Sequence, residues 1–179
     1  MAIRFGTSGW RAVIADEFTF AGVRTVTRAI CEYLRASGAS QGQAIIVGYD
    51  TRFLGERFAA ECVKEVSAGG FRALLCDHPT PTPTISHAIR SQGAVGGINF
   101  TASHNPPEYN GMKFSTADGA PALPEITKHV EQLIGEFQAR VDRVEAATIE
   151  GGSFESYDPR PAYLADLKSK IRFNQITRG

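Results

Sequence analysis

The run from Thr101 to Lys113, TASHNPPEYNGMK, holds the residues best suited to chemistry. Ser103 has two readings. It is a nucleophile or phosphoryl carrier held rigidly on a turn, or it is one polar residue of a surface turn, which composition alone favours. A serine hydroxyl is a weak nucleophile without an assisting base or metal. His104 is adjacent, but neighbouring side chains on an extended segment point apart, which argues against a direct Ser103–His104 pair. The flanks Thr101 and Asn105 also replace the glycines of the G-x-S-x-G turn, so a serine hydrolase ranks last. Asn105-Pro106 forms a turn in its own right, and Pro107 closes it.

Other polar residues offer less. Asp50 and Arg52 end an apolar run and read first as a turn pair. His78, His87 and His129 share no metal-ligand spacing, nor do Cys31, Cys62 and Cys76, which read as buried reduced thiols. Trp10 reads as a packing residue.

These residues need a scaffold, and the apolar periodicity supplies one. Thr19 reads as an N-cap, followed by Val23, Val26, Ile30, Tyr33 and Leu34 at helical spacing, with Gly38 as the stop. Ala44–Tyr49 is a strand-length apolar run. Phe58, Cys62, Val63 and Val66 mark a second helix ending at Gly69-Gly70, and Phe71–Cys76 reads as the next strand. Pro79, Pro81 and Pro83 predict irregular chain over HPTPTP, with a short helix from Thr84 to Arg90. Ala94–Phe100 reads as a buried strand whose Gly96-Gly97 admit a close backbone or ligand. Met112–Phe114 reads as a short strand, and Pro124–Val141 as a long helix. Residues 3–13 read as a loop or hairpin. Strands alternating with helices predict an α/β fold: a three-layer α/β/α domain with a mostly parallel mixed sheet. Ligands of such sheets bind beyond the carboxyl ends of strands. Here those ends carry Asp50-Thr51-Arg52, His78–Pro83 and Thr101–Pro107.

Bulk properties narrow the function classes. The chain has 179 residues, with 19 Lys plus Arg against 19 Asp plus Glu, so it carries no electrostatic footprint for nucleic acid or an anionic membrane. No apolar run approaches the roughly 18 residues that span a bilayer, and the N-terminus lacks a signal-peptide core. The expectation is a cytoplasmic protein.

Residues 101–113 resemble the active-site serine loop of the α-D-phosphohexomutases, the phosphoglucomutase/phosphomannomutase family. FGTSGWR at 5–11 is similar to that family's N-terminal loop, and GYDTR at 48–52 and PTPT at 81–84 follow in the family's order and spacing. The resemblance implies an enzyme that moves a phosphoryl group between O1 and O6 of a hexose phosphate through a phosphoserine and a bisphosphorylated sugar. It makes Ser103 the phosphoserine, which also holds Mg²⁺ through its phosphate. It makes Lys113 an aid to proton transfer, Arg11 a support for the phosphoryl oxygens, and His104 a polar neighbour of the serine. Thr7, Ser8 and Asn105 become substrate-binding residues, with a hexose phosphate as substrate and a hexose bisphosphate as activator. Phosphoryl transfer depends on positioning and charge neutralisation, which suits cations beside a serine turn better than hydrolase chemistry does. Glucose and mannose phosphates fit GTSG and TASHNP better than glucosamine phosphate, whose enzymes usually carry GTDG.

The family's aspartate cluster for Mg²⁺, D-x-D-x-D-R in form, is absent: aspartates stand scattered at Asp16, Asp50, Asp77, Asp118, Asp142, Asp158 and Asp166. The sugar-recognition G-E-E loop and the R-x-S-G-T phosphate loop are absent too. The expected organisation is a first domain over 1–141, a linker over 142–156, and the start of a second domain over 157–179, helical from Tyr157 to Ile171, with C-terminal domains missing. A chain so composed is expected to be inactive by itself. The alternative is a non-catalytic phosphate-binding or interaction module on the same fold.

Overall fold

The computed structural model describes residues 3–6, 9–141, 153–172 and 176. Among them run β1 (Trp10–Val13), α1 (Phe20–Ala36), β2 (Ala44–Tyr49), α2 (Gly55–Ala68), β3 (Arg72–Cys76), α3 (Thr82–Ser91), β4 (Gly96–Phe100), β5 (Tyr109–Thr116), α4 (Pro124–Val141), β6 (Phe154–Tyr157) and α5 (Arg160–Lys170). The strands form one mixed sheet in the order β1-β5-β4-β2-β3-β6. The β4–β2, β2–β3 and β3–β6 pairs are parallel, and the two pairs made by β5 are antiparallel.

Local signals explain the elements nearest the site. Thr19 caps α1, its hydroxyl oxygen accepting from Gly22 N at 3.1 Å. Every residue of β2 is buried, as a central parallel strand covered on both faces requires. One face of the sheet carries Ile45, Ile98, Phe100 and Met112 against α1, α2 and α4, whose Ile30, Phe58, Val63, Val130 and Ile134 complete the main core. The other face carries Ile46 and Leu74 against Ile85 and Ile89 of α3. Trp10 packs as expected, 4% exposed and stacked on Phe18 with centroids 4.3 Å apart. The close neighbour of Gly97 is α3: a Cβ there would meet Ile89 Cγ1 at 2.9 Å. This glycine admits a helix rather than a ligand. Cys31, Cys62 and Cys76 are buried and unpaired; burial pushes Cys31 up to about 12 and Cys76 up to about 11, which makes them inert.

Three local expectations change. Pro83 does not exclude helix, because α3 begins at Thr82 and places the proline in the first turn, where a missing N–H costs nothing. Residues 10–13 form a true strand, β1, antiparallel to β5. Within the stretch read as a linker, Phe154–Ser156 pair with β3, and Tyr157, expected to be helical, ends that same strand. Strand β6 is a short, largely exposed edge strand, held through main-chain pairing that leaves no apolar periodicity to read. Helix α5 has no buried residue and rests against α3, with Tyr163 and His87 in edge contact at 5.6 Å. The rest of the expected linker, 142–152, lies outside the described residues.

Candidate active site

Strand β4 ends at Phe100 and delivers the chain into the serine loop. Thr101 N donates to Gly111 O at 2.9 Å, tying the loop's start to β5. Asn105 N donates to Ala102 O, and Tyr109 N to Pro106 O, each at 3.1 Å, so the loop is two successive turns. Ser103 stands exposed on the first turn with φ +59°. That left-handed backbone is rare for a residue other than Gly, Asn, Asp or His, and it costs roughly 1–2 kcal/mol. Thr101 Oγ1 accepts from Ser103 N at 3.0 Å and helps to hold it.

What overdetermines the strained serine is Arg52. Its Nη2 donates to Ser103 O at 3.1 Å and Asn105 O at 2.6 Å, and its Nη1 donates to Pro106 O at 2.8 Å and Tyr109 O at 2.9 Å. One guanidinium thus gathers four carbonyls of the loop. Asp50 aims it: Asp50 Oδ1 accepts from Arg52 N at 2.9 Å, and Arg52 Nε lies 3.6 Å from Asp50 Oδ2. Asp50 N in turn donates to Phe100 O, joining the end of β2 to the end of β4. Asp50 and Arg52 read from sequence first as a turn pair, at one of the strand ends beyond which ligands bind. The available signal was a planar multi-donor side chain directly after the strand beside β4, a residue type suited to forked recognition of carbonyls.

The two sequence-identified cations come from the neighbouring strands. Arg11 on β1 pairs with Gly111 on β5, and Lys113 lies two residues further along β5, on the same face. Arg11 Nη1 donates to Asn105 Oδ1 at 3.2 Å, so the arginine reaches the serine loop. Lys113 is half-buried; burial and the nearby Arg11 lower its pKa, against a smaller upward pull from Asp50. The neutral amine therefore becomes available at lower pH than for an ordinary lysine. His104 is exposed and takes no hydrogen-bond partner among the described residues. Thr7 and Ser8 lie outside the described residues. Among their described neighbours, Phe5 N donates to Glu131 of α4, and Gly6 bridges Gly9. Gly9 has φ +117°, and a Cβ there would lie 2.9 Å from Lys113 Cα. Gly9→Ala is therefore expected to destabilise the fold by about 2–4 kcal/mol through both strain and overlap with β5, measured by denaturant unfolding.

An open groove of about 510 Å³ runs beside the serine, lined by Asp50, Thr51, Arg52, Phe53, Ser103, Asn105 and Pro107. Among the described residues no group of three or more His, Cys, Asp or Glu is arranged to hold a metal ion. No described helix is long and apolar enough to cross a membrane. The arrangement is thus a rigidly presented hydroxyl with cationic groups on the adjacent strands.

Comparison with known proteins agrees with this geometry. The family described as phosphoglucomutase/phosphomannomutase, alpha/beta/alpha domain I, matches residues 2–140. The chain is 29% identical to the phosphoglucomutase of Staphylococcus saprophyticus over 183 residues, covering 99% of this chain and 30% of that protein. It is 29% identical over 167 residues to the phosphoglucosamine mutase of Finegoldia magna, covering 93% of this chain and 36% of that one. A crystal structure of a Thermus thermophilus protein assigned as a phosphomannomutase superposes with a TM-score of 0.85 at 39% identity, covering 97% of this chain and 37% of that one. The chain thus spans about a third of the length of the relatives it matches.

Proposed function

The chain belongs to the phosphoglucomutase/phosphomannomutase family, and from that premise we propose that it is the phosphoserine-bearing part of a hexose-phosphate mutase acting on glucose or mannose phosphates. The observation that carries the reading is the strained, exposed Ser103, clamped through four carbonyls by Arg52 beside the Arg11–Asn105 contact. Backbone strain is retained only where the surrounding structure enforces it, and it concentrates at functional sites.

In this reading Ser103 Oγ carries the phosphoryl group. A hexose-phosphate hydroxyl attacks the phosphorus, the P–Oγ bond breaks, and a P–O bond to the sugar forms. Neutral Lys113 takes the hydroxyl's proton and, as the ammonium so formed, returns it to Ser103 Oγ as that oxygen leaves. Arg11 balances charge on the transferring oxygens, where positioning and charge supply most of the catalysis. The reverse step from the other end of the bisphosphorylated sugar restores phosphoserine and completes the exchange of O1 and O6. Thr7, Ser8 and Asn105 bind substrate, and a hexose bisphosphate is the activator that first loads Ser103. Mg²⁺, when bound, neutralises charge on the phosphate. Ser103's phosphate is its one ligand proposed from this chain, and the carboxylates it needs come from outside the chain. The 179 residues alone are for that reason proposed to be without appreciable turnover.

A non-catalytic phosphate-binding or interaction module on the same fold is the competing reading. The test is a chase. The chain is first phosphorylated at Ser103 and then mixed with glucose 6-phosphate. Slow appearance of glucose 1,6-bisphosphate with loss of the phosphoserine supports the mutase. A phosphate lost only to water, with no sugar bisphosphate, supports the module. Rapid multiple turnover of glucose 1-phosphate by the chain alone would overturn its proposed dependence on further domains.

A further inference from the structure

Asn99 is 5% exposed, and one end of its amide is paired: Nδ2 donates to Thr82 Oγ1, at the start of α3, at 2.9 Å. The other end is not, since Asn99 Oδ1 is buried without a hydrogen-bond partner among the described residues. An unpaired buried acceptor carries its full desolvation cost, and such atoms are rare in native folds. In the β4–β5 register Asn99 stands directly opposite Lys113. Opposite residues of an antiparallel pair project to one face with their Cβ atoms about 4.5–5.5 Å apart. We propose that Asn99 is a positioning residue for Lys113: the Lys113 ammonium, which does not reach Asn99 in this structure, turns to donate to Asn99 Oδ1 in the working site while Thr82 fixes the amide's orientation. The inference rests on the reading of Lys113 as the proton-transfer group.

The chemistry of the neighbours selects this partner. An acceptor oxygen repels an anion, so the start of α3 is not a phosphate site. Pro83 has no N–H there, and Thr84 N and Ile85 N already donate to Pro81 O. Asn99 needs a donor, and Lys113 brings three. The charged groups that bear on Lys113 are Arg11 from β1, which disfavours the ammonium, and Asp50 beyond β2, which favours it. Thr82, Pro83 and Thr84 at the near end of α3 carry no charge. A neutral carbonyl oxygen would orient the ammonium against Arg11's repulsion without locking the proton on, as a carboxylate would.

Competitive acetylation with acetic anhydride, read by mass spectrometry on the 179-residue chain, measures the titration of Lys113 against that of Lys64 as an internal reference. Asn99→Leu is expected to increase Lys113 acetylation at pH 8 by about three- to tenfold through loss of a hydrogen bond to the charged form. Asn99→Asp is expected to decrease it, with Lys64 unchanged in both. Thr82→Val should give a smaller increase that Thr82→Ser reverses, a second handle should Asn99→Leu fail to fold. Lys113 acetylation unchanged within about twofold in Asn99→Asp and Thr82→Val would overturn the proposal. The readout requires no turnover, so it is separate from the chase: coupling with no phosphoryl transfer would keep the Asn99–Lys113 contact and remove its catalytic purpose.

Discussion

Ser103→Gly will raise stability while ending phosphorylation. The wild-type serine holds φ +59°, a conformation that glycine adopts without the steric cost a Cβ incurs. Relief of that strain is expected to stabilise the chain by about 0.5–1 kcal/mol in denaturant unfolding, partly offset by glycine's greater unfolded-state entropy. The backbone N–H that donates to Thr101 Oγ1 is kept, so the loop's internal hydrogen bonds survive. Transfer of phosphate from a hexose 1,6-bisphosphate should meanwhile fall by at least about 10⁴-fold, the scale on which loss of a covalent nucleophile is felt. Ser103→Ala should lose phosphorylation equally without the gain in stability, because alanine keeps the Cβ. A serine variant that lost stability as well as phosphorylation would contradict the view that strain is held here for function.

Arg52→Lys should also slow phosphorylation strongly, although it preserves charge. The guanidinium reaches Ser103 O, Asn105 O, Pro106 O and Tyr109 O at once. A single ammonium has no planar fork with which to span them. Hydrogen bonds from a charged donor contribute about 1.5–3 kcal/mol each, but four sharing one group do not add. A loss of about 3 kcal/mol in holding the loop is a reasonable scale, which corresponds to roughly a hundredfold in the rate of Ser103 phosphorylation. Arg52 does not meet the phosphate through these contacts, so it acts as a positioning residue. Its distinguishing sign is that limited proteolysis within residues 101–109 should accelerate in the variant while the global unfolding midpoint moves little. Unchanged loop proteolysis with unchanged phosphorylation would show that the clamp is dispensable.

What could be read from the sequence divides along physical lines. Helix α1 and strand β2 were legible to within a residue because their signals are local: a threonine cap, a helical apolar stripe, and a six-residue apolar run. The serine loop was legible as a motif, and so were Lys113 and Arg11 as cations belonging with it. Their shared face was not, because it depends on the antiparallel register of β5 against both β1 and β4. Arg52 was named at a strand end, but its hold on the serine loop was not legible because its partners lie more than fifty residues away in sequence. The sign of φ at Ser103 is likewise imposed by those distant contacts rather than by Ser103's own propensity. Strand β6 escaped notice because an exposed edge strand is held by its main chain. Asn99 carried no signal at all: inside an apolar strand, one asparagine discloses neither its partner across the sheet nor its unpaired oxygen.

The central claim, that Ser103 is a phosphoryl carrier, is tested most directly by the mass of the chain after incubation with glucose 1,6-bisphosphate. Peptide mapping across TASHNPPEYNGMK then locates the modification. A gain of one phosphoryl group is expected on the Ser103-containing peptide and is expected to be absent from Ser103→Gly. A chain that stays unmodified, or that carries phosphate on another residue and keeps it in Ser103→Gly, would contradict the account.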